Sequence, residues 1–178
     1  EIRTRTNNSY TSTYGQGNVN IRGMESNRIL MMRDNVNLPK RYEFSSSLGR
    51  ADYVDLNTLK SVEILKGPAS SLYGSDALGG VITYRSLYPE DLLTADETFK
   101  VEVPVNYDGS DSTTQGAFRI AIREEGSGIE AVVVATKANG EELDAKADKK
   151  YINDNENSKQ SIYTNIVKNI NDYTRLNF

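Results

Sequence analysis

The side chains in this sequence that could take part in chemistry are carboxylates, tyrosines and basic groups, because histidine and cysteine are both absent. Without histidine the chain lacks the commonest general base and the commonest transition-metal ligand, so a Ser-His-Asp triad cannot be assembled. Without cysteine it has no thiolate nucleophile and no disulfide. The adjacent carboxylates of Glu124 and Glu125 could serve a hydrolase, but no pattern around them pairs them with a pocket. We therefore predict that the chain is not an enzyme.

Acidic and glycine-containing segments do not follow the patterns of metal or nucleotide sites. Asp108 and Asp111, and separately residues 154–156, lack the spacing and the glycine of a calcium-binding loop. Gly15-Gln16-Gly17 lacks the third glycine and the preceding strand of a dinucleotide fingerprint. We predict no metal site and no intrinsic cofactor.

The composition is that of a folded domain, with 37% hydrophobic residues, 26% charged residues and a net charge of −4. A protein that neutralises phosphates is rich in cationic side chains and has a positive net charge, so nucleic acid is not an expected partner. The longest apolar runs, such as Ile129–Ala135, are far shorter than the roughly 20 residues of a membrane-spanning helix. The chain begins at Glu1 with no basic and apolar leader, so we expect either a mature chain or one whose start is missing.

The first half of the chain predicts a small mixed α/β domain with glycine-rich turns. Asp55 is placed to cap a short helical turn, and Ala69–Tyr73 can form another. The polar stretch Asn37–Tyr53 is longer than a usual connection, which indicates a functional or mobile segment. The predicted strands, of which the first two are interpreted as a pair, are Val19–Arg22, Arg28–Met32, Ser61–Leu65 and Val81–Tyr84.

The second half predicts longer antiparallel strands with one apolar and one polar face. Strands of about ten residues joined by short turns match a transmembrane β-barrel, and they match a soluble β-sandwich as well. Pro104 favours a strand edge or a bulge, because proline cannot donate to the ladder. The predicted strands are Phe99–Tyr107, Phe118–Arg123, Ile129–Thr136, Ile162–Ile170 and Tyr173–Phe178, with a charged insertion at 137–160.

One long run carries a family resemblance. The sequence from Val62 to Ile82 reads Val-Glu-Ile-Leu-Lys-Gly-Pro-Ala-Ser-Ser-Leu-Tyr-Gly-Ser-Asp-Ala-Leu-Gly-Gly-Val-Ile, and it resembles the central signature of the plug domain of TonB-dependent outer-membrane receptors. The earlier Ile21-Arg22-Gly23 and Arg28-Ile29-Leu30 segments are similar to two strands of the same domain. The resemblance implies a mixed α/β plug domain at residues 1–93, without its N-terminal part. It also implies that residues 94–178 are the first antiparallel strands of an incomplete transmembrane β-barrel.

The glycines and the proline of this run can also be interpreted from the backbone conformations that they allow, without reference to the family. Glycine permits positive φ or close backbone approach, while proline fixes φ and removes a donor, so the segment should fold back sharply between two strands. We interpret these residues as structural turns without ligand chemistry. They are Gly67, Pro68, Gly74, Gly79 and Gly80.

The resemblance also implies partners. In the family, basic plug side chains pair with acidic groups on the inner barrel wall, and Arg22 and Lys66 occupy the corresponding places. Lysine lacks the bidentate fork of arginine, so the pair formed by Lys66 is expected to be weaker. TonB, with ExbB and ExbD, would act through a segment preceding Glu1. Lipid of the outer membrane of a Gram-negative bacterium would surround the barrel.

The expected cargo follows from Ser86–Leu93, which looks most like the branch of the family that handles haem and haem proteins. The resemblance implies energy-coupled uptake of an iron-containing ligand such as haem or a ferric siderophore, with cobalamin and glycans still open. The outward loop contains no histidine, so Tyr42 and Tyr53 are the candidate ligand contacts, as tyrosinate can ligate iron(III). The alternative is a soluble β-rich binding or adhesion module.

Overall fold

The computed structural model describes residues 19–24, 28–43, 46–49, 54–109, 113–140, 157–171 and 174–178. The chain divides into two compact units, the first unit at residues 1–86 and the second unit at residues 87–178. The border between plug and barrel predicted at residues 93 and 94 lies beyond this division and stays a prediction. In the part of the chain that is described, no helix is long and apolar enough to span a membrane.

The first unit is built on a four-stranded sheet with the order β2-β1-β6-β5. Strand β6 lies between β1, with which it is parallel, and β5, with which it is antiparallel. A second hairpin pairs β3 with β4. The elements are β1 (Ile29–Arg33), β2 (Val36–Asn37), β3 (Lys40–Glu43), β4 (Ser46–Gly49), a 3₁₀ turn (Leu56–Thr58), β5 (Leu59–Lys66), α1 (Ser70–Tyr73) and β6 (Gly80–Ser86).

Both faces of the two central strands are buried. One face of β1 and β6 contributes Ile29, Met31, Ile82 and Tyr84 to a cluster with Val19, Ile21 and Leu59. The other face contributes Leu30 and Val81, which pack with Ala69 and Ala77 from the segment after β5. Burial on both sides explains why these strands have continuous apolar runs instead of alternation.

The predicted strand Val19–Arg22 is wrong in its second half. The chain turns there, because Arg22 has φ +53° and Gly23 has φ +83°. Ile21 and Met24 exchange two backbone hydrogen bonds of 3.0 Å across this turn. The expected pairing with the next strand is also wrong, since β1 pairs with β2 and β6 instead.

The turn between β1 and β2 is a two-residue hairpin loop in which both residues are left-handed. Asp34 has φ +49° and Asn35 has φ +66°, the combination of a type I′ turn. The Asp34 carboxylate also accepts a 2.9 Å hydrogen bond from the backbone N–H of Ser86. Asn35 thus adopts a left-handed conformation, which asparagine tolerates better than most residues.

The second unit contains one antiparallel sheet with the order β12-β11-β10-β9-β7, and β8 also pairs with β9. The predicted strand Phe99–Tyr107 is split at Pro104, whose carbonyl still accepts a 3.0 Å hydrogen bond from Ala117 N–H. The register against β9 is unchanged across the split. The elements are α2 (Pro89–Leu92), β7 (Phe99–Glu102), β8 (Val105–Asp108), β9 (Thr113–Glu124), β10 (Ile129–Gly140), β11 (Asn157–Asn171) and β12 (Thr174–Asn177).

This sheet buries polar side chains on its covered face and exposes apolar ones on the other, which is the reverse of a sheet in a water-soluble protein. The face that α2 covers buries Glu130, Thr136 and Asn165 beside small apolar residues. The uncovered face is apolar and its large side chains are exposed, among them Phe118, Ile122, Val133, Ile162 and Ile166. A sheet with its apolar side outward and its polar side inward is typical of a wall that faces lipid.

We predict that Gly80→Ala loosens the first unit, because a Cβ atom there would lie 2.5 Å from the Leu65 carbonyl oxygen and 2.9 Å from Ile21 Cδ1. Overpacking costs about 1–3 kcal/mol, so amide exchange in β5 and β6 should accelerate roughly 10- to 100-fold. Hydrogen exchange of the full-length protein measures this. The control is Gly116→Ala in β9, where a Cβ would meet nothing within 4 Å. Equal exchange in the two variants would contradict the packing argument.

Candidate functional site

The glycine-rich run forms a closed arch between β5 and β6, which we call the motif arch (residues 67–79). Gly67 N–H donates to the Gly79 carbonyl at 3.1 Å, and Ala69 N–H donates to the Ala77 carbonyl at 2.8 Å. Gly67 and Gly74 have φ of +133° and +93°, a region that side-chain-bearing residues rarely adopt. The arch is therefore a stiff element fixed by its own backbone bonds, with exposed Pro68 near its start.

The end of the motif arch packs tightly against the turn that carries Arg22. A Cβ atom at Gly79 would lie 2.8 Å from Met24 Cβ, and Gly79 N–H donates to the Arg28 carbonyl at 2.7 Å. At Gly80 a Cβ would collide with Ile21 and β5. Glycine at both positions thus lets the turn at residues 21–24 lie directly on the start of β6.

This packing brings the two predicted ion-pair candidates to one place. A recess of about 290 Å³ has apolar side chains from three segments and two cationic side chains. Arg22 is exposed at the turn, and exposed Lys66 ends β5 just before the motif arch. The lining residues are Val19, Asn20, Ile21, Arg22, Ile64, Lys66 and Ile82.

The charge of this recess is one-sided. Among the described residues that line it there is no carboxylate, while Arg22 and Lys66 are both cationic. Two cations beside an apolar lining favour an anionic partner, since enclosing them without one is costly. That their partners are carboxylates of a barrel wall stays a prediction.

The two tyrosines predicted to contact a ligand are not placed in a site. The backbone of Tyr42 lies in β3 opposite Ser47. Tyr53 lies outside the described residues. Their role in binding an iron-containing ligand stays a prediction.

A polar cluster lies at the Ser86 end of β6, and the sequence did not predict it. Arg33 donates to Ser86 Oγ at 2.8 Å and to Thr58 Oγ1 at 3.3 Å. Thr58 in turn donates to the Asp55 carbonyl at 2.7 Å. The cluster ties the ends of β1 and β6 to the 3₁₀ turn. Only the capping role of Asp55, which accepts from Asn57 N–H, has a local sequence signal.

One described titratable group of the first unit, Tyr84, has a shifted pKa. Burial raises the pKa of the Tyr84 hydroxyl, so this tyrosine stays a neutral phenol. Over the residues that can be described, no group of three or more carboxylates lies close enough to hold a metal ion. The site is defined by its recess and by the two cationic side chains that line it.

Comparisons with known proteins place the first unit in a family. Residues 3–81 match the TonB-dependent Receptor Plug Domain. This match includes the turn at Arg22, Lys66 and the whole motif arch.

Curated relatives align with between 42% and 72% of the chain. Heme/hemopexin utilization protein C of Haemophilus influenzae is 32% identical over 96 residues, which cover 54% of this chain and 13% of the relative. Transferrin-binding protein A of Neisseria meningitidis serogroup B is 28% identical over 137 residues, or 72% of this chain and 15% of the relative. Vitamin B12 transporter BtuB of Photobacterium profundum is 36% identical over 78 residues, or 42% of this chain and 12% of the relative. The chain therefore spans only a small part of their length.

Solved structures share the fold across both units. The FrpB iron transporter of Neisseria meningitidis, in its F3-3 variant, superposes with a TM-score of 0.65 at 21% identity. The superposition covers 88% of this chain and 24% of the transporter. The predicted fold class, a mixed α/β plug followed by antiparallel strands of an open, incomplete barrel, is confirmed. Residues 3–81 are therefore identified as a plug domain of the kind found in TonB-dependent receptors.

Proposed function

We propose that this chain is part of a receptor that takes up an iron-containing ligand across the outer membrane of a Gram-negative bacterium. One observation carries the proposal: a plug-type unit is followed directly by a sheet whose uncovered face is apolar. A plug closes a pore, and such a sheet can form the pore's wall. Uptake would be driven by TonB with ExbB and ExbD, as the family membership implies.

The uncovered face of the second unit supports contact with lipid. Ile162 is 80% exposed and Phe118 and Ile122 are each 46% exposed, although all three are large apolar side chains. Neighbouring strands place them close together, since Ala135 of β10 lies opposite both Phe118 and Ile162. A broad apolar face of this kind is stable in a bilayer and promotes aggregation in water. This observation counts against the soluble binding module.

The covered face supports a polar interior. Arg123 pairs with Glu130 at 2.8 Å, and Arg119 pairs with Glu102 at 3.4 Å. The hydroxyls of Thr136 and Ser161 are 2.7 Å apart on the same face. Charged groups inside a barrel need partners of this type, because lipid and apolar side chains cannot solvate them.

We infer the class of ligand from the names of the similar proteins. Haem, transferrin and iron transport all involve iron, and this shared element favours haem or a ferric siderophore over a glycan. The similarity to a vitamin B12 transporter keeps a corrin as the second candidate. Haem bound through Tyr42 or Tyr53 agrees with the absence of histidine from the chain.

The recess at Arg22 and Lys66 is the proposed contact that seats the plug. Its partners would be carboxylates on the inner wall of the complete barrel, which neutralise the two cations. Because the cations flank the motif arch, releasing them would free the turn at residues 21–24 and the end of β5 together.

We predict that bacteria lacking the full-length receptor fail to grow on one iron-containing ligand as sole iron source, and that deletion of TonB has the same effect. Growth on haem, on ferric siderophores and, for methionine auxotrophs, on cobalamin distinguishes the cargo classes. Rescue by cobalamin uptake alone would overturn the iron assignment.

We also predict that the purified full-length receptor shifts the Soret band of haem, and that Tyr42→Phe combined with Tyr53→Phe removes the shift by deleting both phenolates. Tyr107→Phe is the control, because Tyr107 is exposed on β8 and is not a candidate ligand contact. If haem mixed with the wild-type receptor shows no Soret shift, the assignment of haem as the ligand is wrong.

The double variant Arg22→Ala with Lys66→Ala should weaken the seat of the plug. Loss of partners for enclosed carboxylates costs about 3–5 kcal/mol, so plug opening should rise by roughly 100-fold or more. Entry of a bulky antibiotic that an intact outer membrane excludes reports this opening. Arg28→Ala is the matched control, since Arg28 is an exposed arginine outside the recess. If both variants admit the antibiotic equally, the recess does not seat the plug.

A further inference from the structure

We propose that residues 87–97, called the connector, form a fixed anchor on the sheet of the second unit, so that a pull from the N-terminal side displaces the chain only as far as Ser86. The inference rests on the proposed energy-coupled uptake, in which the plug is displaced. It assigns a mechanical role to Arg123, which we identify as the main positioning residue of the connector.

Apolar packing fixes the middle of the connector. Leu87, Leu92 and Leu93 are buried and lie in one cluster with small residues of β9 and β10. The partners on the sheet are Ala117, Ala121, Val132 and Val134. The small side chains on β9 leave room for the leucines, so the connector lies close to the strands.

Arg123 of β9 fixes the end of the connector by bonding its backbone. Its Nη1 donates to the carbonyl oxygens of Thr94, Ala95 and Glu97 at 2.8, 3.1 and 3.1 Å. Its Nε donates to the Glu130 carboxylate at 2.8 Å, which holds the guanidinium in place. Both side chains are mostly buried, at 19% and 12% exposure. Removing Arg123 would leave three carbonyls and a carboxylate without this donor.

Side chains from the other strands fix the start of the connector. Tyr163 of β11 donates its hydroxyl to the Leu87 carbonyl at 3.0 Å. Arg175 of β12 pairs with Glu90 at 2.6 Å and lies 5.5 Å from the centre of the Tyr88 ring. The connector is thus bound at both ends and along its middle.

The connector is also ordered by its own bonds. Tyr88 N–H donates to the Asp91 carboxylate at 2.8 Å, and Thr94 N–H donates to the Glu97 carboxylate at 2.9 Å. The hydrogen bonds from Thr94 lower the pKa of Glu97, so this carboxyl is ionised at neutral pH. Both of these hydrogen bonds lie within the connector itself.

The residue just before the connector is held differently. Ser86 accepts from Arg33 through its hydroxyl and donates its N–H to Asp34, and both partners belong to the first unit. Leu87 is bonded by Tyr163 of the second unit. Ser86 is thus bonded to the first unit, and Leu87 is bonded to the second. We therefore place the limit of displacement at the peptide bond between Ser86 and Leu87.

Pulling on the N-terminal end of the full-length receptor, held in a bilayer in a single-molecule force experiment, tests this inference. In the wild type the extension should stop at a length that corresponds to Ser86. In Arg123→Ala the connector keeps its other contacts but should yield at a lower force than in the wild type, adding about 36–40 Å for its eleven residues. Lys137→Ala, which removes an exposed cation from β10 of the same sheet, should behave as the wild type.

A second variant covers the case in which Arg123→Ala fails to assemble. Arg123→Met combined with Glu130→Gln removes both charges together and leaves no unpaired carboxylate, and it should show the same added length. A wild-type extension that runs past Ser86 without a stop, or an unchanged stop in both Arg123 variants, would overturn the anchor. The pulling experiment needs no ligand, so failed uptake would refute the proposed function and leave the anchor result standing.

Discussion

The pairing of β6 with a strand on each side is the interaction on which the first unit depends. Its parallel bonds to β1 and antiparallel bonds to β5 join segments that are far apart in sequence. Ile82 and Tyr84 fill the core on one face, and Val81 fills it on the other. Gly79 and Gly80 are required at its start because the turn at residues 21–24 and the end of β5 leave no room for a side chain. The recess at Arg22 and Lys66 exists because of this close approach.

In the second unit the main constraint is that polar and large apolar side chains lie on opposite faces of the sheet. Carboxylates, guanidinium groups and hydroxyls gather on the face that the connector covers, where they bond one another and the connector backbone. The large apolar side chains gather on the opposite face, where those of the described residues are exposed. The same sheet therefore has an apolar face on one side and, on the other, a set of donors that hold the connector.

Local sequence signals predicted the elements of both units and failed where distant segments decide the structure. The alternation of apolar residues predicted β9, β10 and β11, and the sequence correctly placed Asp55 at the cap of a short helical turn. The strand at Val19–Arg22 was wrong, because the chain turns at Arg22, which is left-handed, and Met24 at the end of this turn packs against Gly79. Arg22 and Lys66 were predicted from a family resemblance, and the recess that unites them depends on β6, whose pairing no local pattern encodes.

The bonds of Arg33 and Arg123 show the same limit. Each guanidinium binds groups from segments many residues away, so neither has a local signature in the sequence. An arginine within a strand of alternating residues is most simply interpreted as a solvated side chain. Their roles follow from which backbone carbonyls and hydroxyls the fold brings within reach.

The parallel pairing of β1 with β6 has a consequence for how the chain is made. Ile29 lies opposite Gly80, so the sheet closes only after the residues up to Ser86 have been synthesised. Until then β1 has only its short hairpin with β2, and its apolar faces are without the cover that β6 and the motif arch provide. Long-range parallel pairing of this kind forms slowly, because the intervening loop must be closed first. The central strand is thus the last of the sheet to be made, and the nascent first unit must be protected from aggregation until it arrives.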